Sequence, residues 1–424
     1  MRVASVPASH VSMTGGLRIA LIASSRFPIC QPFAGGLEAH VWHLARALAK
    51  QGHTVSLFAA PGSDVDFDCS SLSVRPLHLS RAAQSDISMP AMEFMAEHHA
   101  YLALMLQLGG IDAHTFDVVH NHSLHYLPVA MASTLSTPML TTVHTPPTPW
   151  LESAIQASNG PETRFAAVSR HTAAAWVHSS QRFTVVPNGI DARGWPLGAG
   201  GEGVVWFGRI TPEKAPHLAI EAARGARRPI TLAGPIADPR YYAERIQPHL
   251  GAEVHYAGHL TQRDLARLVG SAAVALVTPV WDEPYGLVVA EAMCCGTPVV
   301  AFSRGGIPEL VSERSGCLVA PDDIDALAAA IPVAARLPRL QVREHAVRWC
   351  SSAAMVEAYL SLYRQMISAR NDDSDDRLLH PPPRLRTSGT SRQHQRTVAT
   401  TCHSADLPDR LAPPSVHGDR QPAP

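Results

Sequence analysis

Two carboxylates frame the most informative stretch of this sequence. Glu283 and Glu291 lie in Trp281-Asp-Glu-Pro-Tyr-Gly-Leu-Val-Val-Ala-Glu291, separated by seven residues. Pro284 and Gly286 break regular structure between them, and an apolar helix is predicted from about Leu287. Glu283 therefore belongs to a loop at the mouth of a sheet, and Glu291 lies just over one turn into the helix. The helix start offers free N–H groups and the positive end of a dipole, which suits an anion. One carboxylate ahead of that anion site and one behind it could bracket a phosphate ester with hydroxyl-rich groups on both sides. A sugar nucleotide is such a ligand. The plainer alternative is a buried helix with two incidental glutamates, but a carboxylate among apolar neighbours, as at Glu291, needs partners.

A second cluster lies upstream. In Phe207-Gly-Arg-Ile-Thr-Pro-Glu-Lys-Ala-Pro216, Arg209 and Lys214 stand five positions apart across a proline-containing turn that follows a strand and opens a helix. Both can point into one cleft, where two cations would neutralise a diphosphate and raise its leaving-group ability without a metal. Lys214 is one of only two lysines among 35 basic residues, which favours a specific need for a point charge over a solvated surface pair. Gly35 and Gly36, in Phe33-Ala-Gly-Gly-Leu-Glu38, let backbone approach a ligand at a helix start, although a tight turn explains the pair equally well. No G-x-G-x-x-G is present, so a dinucleotide gains little support and no cofactor is expected. His122, closing Asp117-Val-Val-His-Asn-His122, and His144, in Val143-His-Thr-Pro-Pro147, each follow a strand and are expected to project into the cleft. With 23 histidines in the chain, a structural role competes at each of them. A metal set of His120, His122 and His125 lacks a carboxylate beside it, and no metal is expected.

Two scaffolds must position these residues. Apolar runs at Leu17–Ala23, Thr54–Ala59, Asp117–His120, Met139–Val143 and Phe165–Val168 read as parallel strands covered on both faces. Helical stretches over Gly36–Lys50, Pro90–Leu108 and Arg170–His178 alternate with them. The first carries Leu37, Val41, Leu44, Ala45 and Leu48 on one face. Six glycines between Gly189 and Gly203 suggest a linker. The alternation then restarts, with strands at Val204–Phe207, Pro229–Ala233, Glu253–Ala257, Ala273–Thr278, Pro298–Phe302 and Cys317–Val319. Two successive βαβ series imply an α/β protein of two doubly wound, Rossmann-like domains, with ligands in the cleft between the carboxyl ends of their sheets. The expected division is a leader over 1–16, a first domain over 17–190, a linker over 191–203 and a second domain over 204–341. A last helix over 342–370, periodic through Val342–Ile367, and a disordered tail over 371–424 complete it. The tail balances seven Arg against seven Asp and has no apolar period.

Composition bounds the rest. The chain has 424 residues, 46% of them apolar, and a net charge of -1. That is enough apolar material for two cores, and it argues against nucleic acid as a partner. No apolar run reaches the length of a membrane span, although the Pro90–Leu108 helix could touch a membrane peripherally instead of packing inside. Seven scattered cysteines without a C-x-x-C spacing fit a reducing cytoplasm.

Together these features resemble the GT-B type retaining glycosyltransferases, specifically family four, over about residues 17–367. The marks are Gly35-Gly36-Leu37-Glu38, Gly52-His53, Val186-Pro-Asn-Gly-Ile-Asp191, Gly208-Arg209 with Lys214, and the Glu283/Glu291 pair. The resemblance implies that Arg209 and Lys214 bind the donor diphosphate and that Glu291 holds the nucleotide ribose. It implies that Glu283 contacts the donor-sugar hydroxyls. Backbone at Gly286, Leu287 and Val288 would meet the phosphate or sugar, and Gly36 would approach the diphosphate from the other domain. His122 would sit near the reacting sugar, and His144 is a candidate on the acceptor side. The last helix would cross back onto the first domain. The implied reaction is metal-independent, front-face transfer with retention, in which the leaving phosphate takes the acceptor proton. UDP-glucose is the expected donor. The acceptor, a small molecule, glycan or lipid, would be set by the Ser63–Gln107 and Pro146–Gly160 stretches. An epimerase or phosphorylase of the same fold and a non-catalytic nucleotide-sugar-binding protein are the other readings.

Overall fold

The computed structural model describes residues 16–64, 68–71, 77–158, 163–178 and 183–379. The expected leader up to residue 15 and the tail from 380 onward lie outside these residues, as do parts of the two acceptor-side stretches, at 65–67, 72–76 and 159–160. The described residues form two parallel sheets. The first contains β1 (Arg18–Ile22), β2 (Thr54–Ala59), β3 (Asp68–Ser71), β4 (Val118–Asn121), β5 (Met139–Val143), β6 (Thr163–Ala167) and β7 (Phe183–Val185). Their order is β3-β2-β1-β4-β5-β6-β7. The second contains β8 (Val204–Phe207), β9 (Ile230–Ala233), β10 (Val254–Tyr256), β11 (Val274–Val277), β12 (Val299–Phe302) and β13 (Gly316–Val319), in the order β10-β9-β8-β11-β12-β13. Each sheet reverses its winding at its first strand in sequence, between β1 and β4 and between β8 and β11. Such a switch point opens a crevice at the carboxyl ends of the strands.

Burial explains why these runs are strands. Residues 19–22 of β1 and all of β5, β8, β11 and β12 are buried, as central strands covered by helices must be. The first sheet is flanked by α1 (Gly36–Lys50), α2 (Arg81–Gln84), α3 (Met92–Gly109), α4 (Tyr126–Met131), α5 (Pro149–Ala157) and α6 (Arg170–Ala175). In α1 the apolar stripe Val41, Leu44, Ala45 and Leu48 is fully buried on the sheet. In α3, Tyr101, Leu104, Met105 and Leu108 pack inward, while Met92 and Leu106 stay exposed. Among the described residues no helix is long and apolar enough to cross a membrane.

The second sheet carries α7 (Pro216–Gly225), α8 (Pro239–Arg245), α9 (Gln262–Gly270), α10 (Leu287–Cys294), α11 (Ile324–Ala334) and α12 (Arg339–Trp349). The terminal stretch expected as one helix is two, α12 and α13 (Ser352–Leu379). The break has a backbone cause. Ile190 donates to the Cys350 carbonyl at 2.7 Å and its own carbonyl accepts from Ser352, so strand-like pairing replaces helical bonds there. Val342, Ala346 and Cys350 stay in the second sheet's core, whereas Met355, Val356, Tyr359 and Tyr363 of α13 join the core of the first. The glycine-rich stretch before β8 does not hang free. Trp195 is buried in the second core, and a Cβ at Gly198 would sit 2.1 Å from the Gly270 carbonyl oxygen, so glycine there serves close packing.

Candidate active site

A cavity of about 720 Å³ lies between the carboxyl ends of the two sheets and takes its lining from both. The loop after β8 brings Gly208, Arg209 and Lys214, and α10 brings Gly286, Leu287, Val288 and Glu291. Gly286 caps α10 with φ +97, a left-handed conformation that favours glycine. The first turn of α10 thus lines the cavity, with the N–H groups of Leu287 and Val288 ahead of the helical ladder and that of Val289 donating to the Gly286 carbonyl at 3.0 Å. From the opposite wall Gly36 approaches so closely that a Cβ would stand 3.0 Å from Leu287 Cδ1.

Charge is arranged in a way the sequence did not disclose. Lys214 Nζ donates to Glu283 Oε2, and Trp281 Nε1 donates to the same oxygen at 3.2 Å. The Lys214 ammonium also lies 5.1 Å from the centre of the Trp281 ring. Lys214 is thus held by a carboxylate and an indole, while Arg209, 3.6 Å from Glu213, remains partly exposed at the cavity wall. The Glu291 carboxyl has no hydrogen-bond or ion-pair partner among the described residues, and burial pushes it up to about 8. A third carboxylate, Glu38, also lines the cavity. Burial raises it, and the nearby Arg209 guanidinium opposes that rise.

The histidines depart from expectation. His144 lines the cavity, but His120 and His122 are wholly buried behind it and do not project into the cleft. The reason is a chain of hydrogen bonds inside the first sheet. His122 Nδ1 lies 2.9 Å from His144 Nε2, His122 Nε2 lies 3.1 Å from His120 Nδ1, and His120 Nδ1 lies 2.6 Å from the Tyr363 hydroxyl of α13. The desolvation that accompanies burial lowers all three below the usual histidine range, His144 to about 3. The trio His120, His122 and His125 is not assembled, because the His125 ring stacks between Tyr101 and Tyr126. Instead His40, His122 and His144 bring ring nitrogens within 4.8 Å of one another. The 2.9 Å spacing of His122 and His144 is that of a hydrogen bond, shorter than the about 3.3 Å between nitrogens on a tetrahedral zinc.

The loop that carries Glu283 is tied to the first sheet. The Ser169 and Thr172 hydroxyls donate to the Pro284 carbonyl at 2.6 and 2.9 Å. Glu309 accepts from the backbone N–H groups of Arg170 and His171 at 3.1 and 2.8 Å. Gly306 N–H donates to the Glu283 carbonyl at 2.7 Å, and the Tyr285 hydroxyl donates to the Asn188 carbonyl.

The two halves of this arrangement match two family models. Residues 34–193 match Glycosyltransferase Family 4, and residues 201–334 match Glycosyl transferases group 1. The chain belongs to the family 4, group 1 glycosyltransferases. Its fold is GT-B, and its activity is glycosyl transfer from a nucleotide sugar. The chain is 29% identical to a glycogen synthase of Mycobacterium tuberculosis over 338 residues, 70% of this chain and 81% of that one. It is 27% identical to a D-inositol 3-phosphate glycosyltransferase of Mycolicibacterium smegmatis over 433 residues, 90% of this chain and 98% of that one. HepE from Anabaena, solved in complex with UDP and glucose, superposes with a TM-score of 0.64 at 19% identity, covering 82% of this chain and 99% of that one.

For this glycosyltransferase the cavity brings together Gly36, His144, Arg209, Lys214, Glu283, Gly286, Leu287, Val288 and Glu291, while His122 stands one layer behind. Sequence reasoning passed over Trp281 as a partner of Lys214, although it lies in the same motif. It also passed over Glu38, quoted only as part of the Gly-Gly motif, and over His40. Only spatial packing reveals the last two.

Proposed function

We propose that this enzyme transfers a hexose, glucose, from UDP-glucose to an acceptor hydroxyl with retention of configuration and without requiring a metal. The observation that carries the reading is the juxtaposition of Arg209 and Lys214 with the open first turn of α10, flanked by Glu283 and Glu291. Two cations and a helix N-terminus suit a diphosphate, and a carboxylate on either side suits hydroxyl-bearing groups. In this reading Arg209, Lys214 and the backbone of Leu287 and Val288 hold the diphosphate, and Gly36 approaches it from across the cavity. Glu291 accepts from the ribose hydroxyls. Glu283, released from Lys214 as that lysine turns to phosphate, accepts from the sugar hydroxyls. The bond from the anomeric carbon to the diphosphate breaks, and the acceptor oxygen attacks on the same face. Its proton passes to the departing phosphate oxygen. His144 faces this centre as a neutral imidazole, and His122 fixes its ring from behind, so His122 serves as a positioning residue. The glucose complex of HepE, a protein of the same fold, favours UDP-glucose among the nucleotide sugars.

The test is binding and hydrolysis of UDP-, GDP- and ADP-sugars in metal-free buffer by the wild type and by Glu291→Ala. The expected result is one strongly preferred donor, bound about tenfold more weakly by the variant because a buried hydrogen bond to the ribose is lost. No binding to any nucleotide sugar would overturn the reading. Binding without hydrolysis or transfer would mark a non-catalytic relative.

A further inference from the structure

The wall of the cavity opposite the diphosphate loop carries a second constellation. Four rings stack in sequence along it. Tyr101 and His125 stand 4.7 Å apart, His125 and Tyr126 4.7 Å, and Tyr126 and Trp150 5.3 Å, with interplanar angles of 23°, 25° and 29°. All four line the cavity. They come from three separate helices and the loop before α4, so only the fold joins them. Trp150 ends the stack 63% exposed, with the Phe94 ring tilted 45° at 6.2 Å beside it.

Two polar groups punctuate this wall. His125 is only 7% exposed. Its Nδ1 accepts from the Leu127 backbone N–H at 3.2 Å, which places the proton of the neutral ring on Nε2. Among the described residues that Nε2 has no partner. A buried donor without an acceptor is costly, and in a cavity wall it points to a ligand oxygen. Beside it Glu97 takes two bonds from the Arg26 guanidinium, at 2.7 and 3.2 Å, and one from the Ser25 hydroxyl. Arg26 is thereby neutralised. Among the described residues that line this wall Arg26 is the one Arg or Lys, and a phosphate or carboxylate would have to displace Glu97 from it, whereas the donor side sets Arg209, Lys214 and the start of α10 together.

We propose that the Tyr101–His125–Tyr126–Trp150 wall, edged by Glu97, is the acceptor subsite, and that its ligand is an uncharged carbohydrate. The proposal rests on the glycosyltransferase reading and specifies its second substrate. A sugar ring has an apolar face of C–H groups for the indole of Trp150, with hydroxyl oxygens at its rim for the Nε2–H of His125. Its hydroxyl protons suit the carboxylate of Glu97. A lipid would leave the His125 donor and the Glu97 carboxylate unused, and a phosphorylated acceptor would have to compete with Glu97 for the one cation of this wall, Arg26.

The experiment measures UDP-sugar turnover with neutral mono- and oligosaccharides, with their phosphorylated and uronic-acid counterparts, and with long-chain alcohols, identifying products by mass. The wild type should glycosylate at least one neutral saccharide in preference to its charged counterpart. Trp150→Ala and His125→Gln should each raise the acceptor KM about tenfold, the effect expected from one lost contact. Trp150→Phe should restore most of the affinity, and the donor KM, read in the same assay, should move far less. Exclusive use of phosphorylated, acidic or lipid acceptors overturns the proposal, as does no saccharide transfer by an enzyme that hydrolyses its donor. Equal loss in donor and acceptor constants also overturns it. If no nucleotide sugar is bound or hydrolysed, it is the donor reading that fails.

Discussion

Glu291, the carboxylate proposed to hold the ribose, sits where it costs stability. Its carboxyl is raised to about 8 by burial and has no partner among the described residues. The sign of the linkage follows. Between the ordinary carboxyl range and about 8 the unfolded chain has released this proton and the folded protein still holds it. Stability therefore falls as pH rises through that window. At pH 7 the deficit is about 3 kcal/mol, from 2.5 units at 1.36 kcal/mol each. Glu291→Gln should thus raise the denaturant midpoint at pH 7.5 and leave it unchanged at pH 4.5, while weakening nucleotide-sugar binding. Melts at the two pH values check the first part and a titration checks the second. A destabilised site that gains from neutralisation is a common trade between activity and stability. This residue was legible in the sequence because its chemistry is written locally, in a carboxylate just inside an apolar helix behind a Pro-x-Gly loop. His125 and Glu38 were not, because what singles them out is a neighbour brought by the fold: Tyr101 beside His125, Arg209 beside Glu38.

At the scale of elements, β4, β5, α1 and α13 meet at a knot of four histidines, the buried His40, His120 and His122 and the half-buried His144, closed by Tyr359 and Tyr363. The strands were legible as apolar runs. The knot was not, since a period-two pattern says which side of a sheet a histidine faces and nothing about what covers it. All four imidazoles are lowered by burial, so below pH 6.5 unfolding takes up protons that the folded protein refuses. Their stabilising neutrality is present above pH 6.5 and lost as pH falls. Each such group steepens the loss of stability as pH falls below 6.5. His40 offers a way to test this, because neither of its ring nitrogens has a partner among the described residues. His40→Phe keeps the ring contacts and removes one titrating group. It should cut the acid slope by about a quarter and move the acid midpoint downward, read from denaturant melts between pH 5 and 7.5. An unchanged slope would mean that His40 is not neutral in the folded protein.

At the scale of the molecule, two doubly wound sheets were legible because alternating apolar runs and amphipathic helices admit few other packings. What escaped is how the halves are joined. The edge strands β3 and β7 are short and weakly apolar. The break between α12 and α13 depends on pairing with Ile190, far away in sequence. The junction across the cavity is a set of backbone acceptors met by side chains. Ser169 and Thr172 both reach the Pro284 carbonyl, and Glu309 closes the start of α6 through the N–H groups of Arg170 and His171. Pro284 follows Glu283 directly, so these bonds position the loop that carries a candidate donor-binding carboxylate. They cross between sheets, and the Ser169 hydroxyl also caps α6 by accepting from the Thr172 N–H at 3.0 Å. Removing both hydroxyls, in Ser169→Ala with Thr172→Val, should therefore loosen the halves while leaving each folded. Two hydrogen bonds at about 1 kcal/mol each amount to a factor of about thirty in the balance between joined and parted halves. The variant should show a raised donor KM, a larger radius of gyration by small-angle scattering, and a larger share of donor lost to water instead of transferred, because a parted cleft admits solvent. The thermal midpoint should fall by no more than the lost α6 cap costs, about 1 kcal/mol, because Ser169 Oγ also accepts from the Thr172 N–H. A variant with unaltered donor KM and radius would show that the Glu283 loop holds its place through Gly306 and Tyr285 alone.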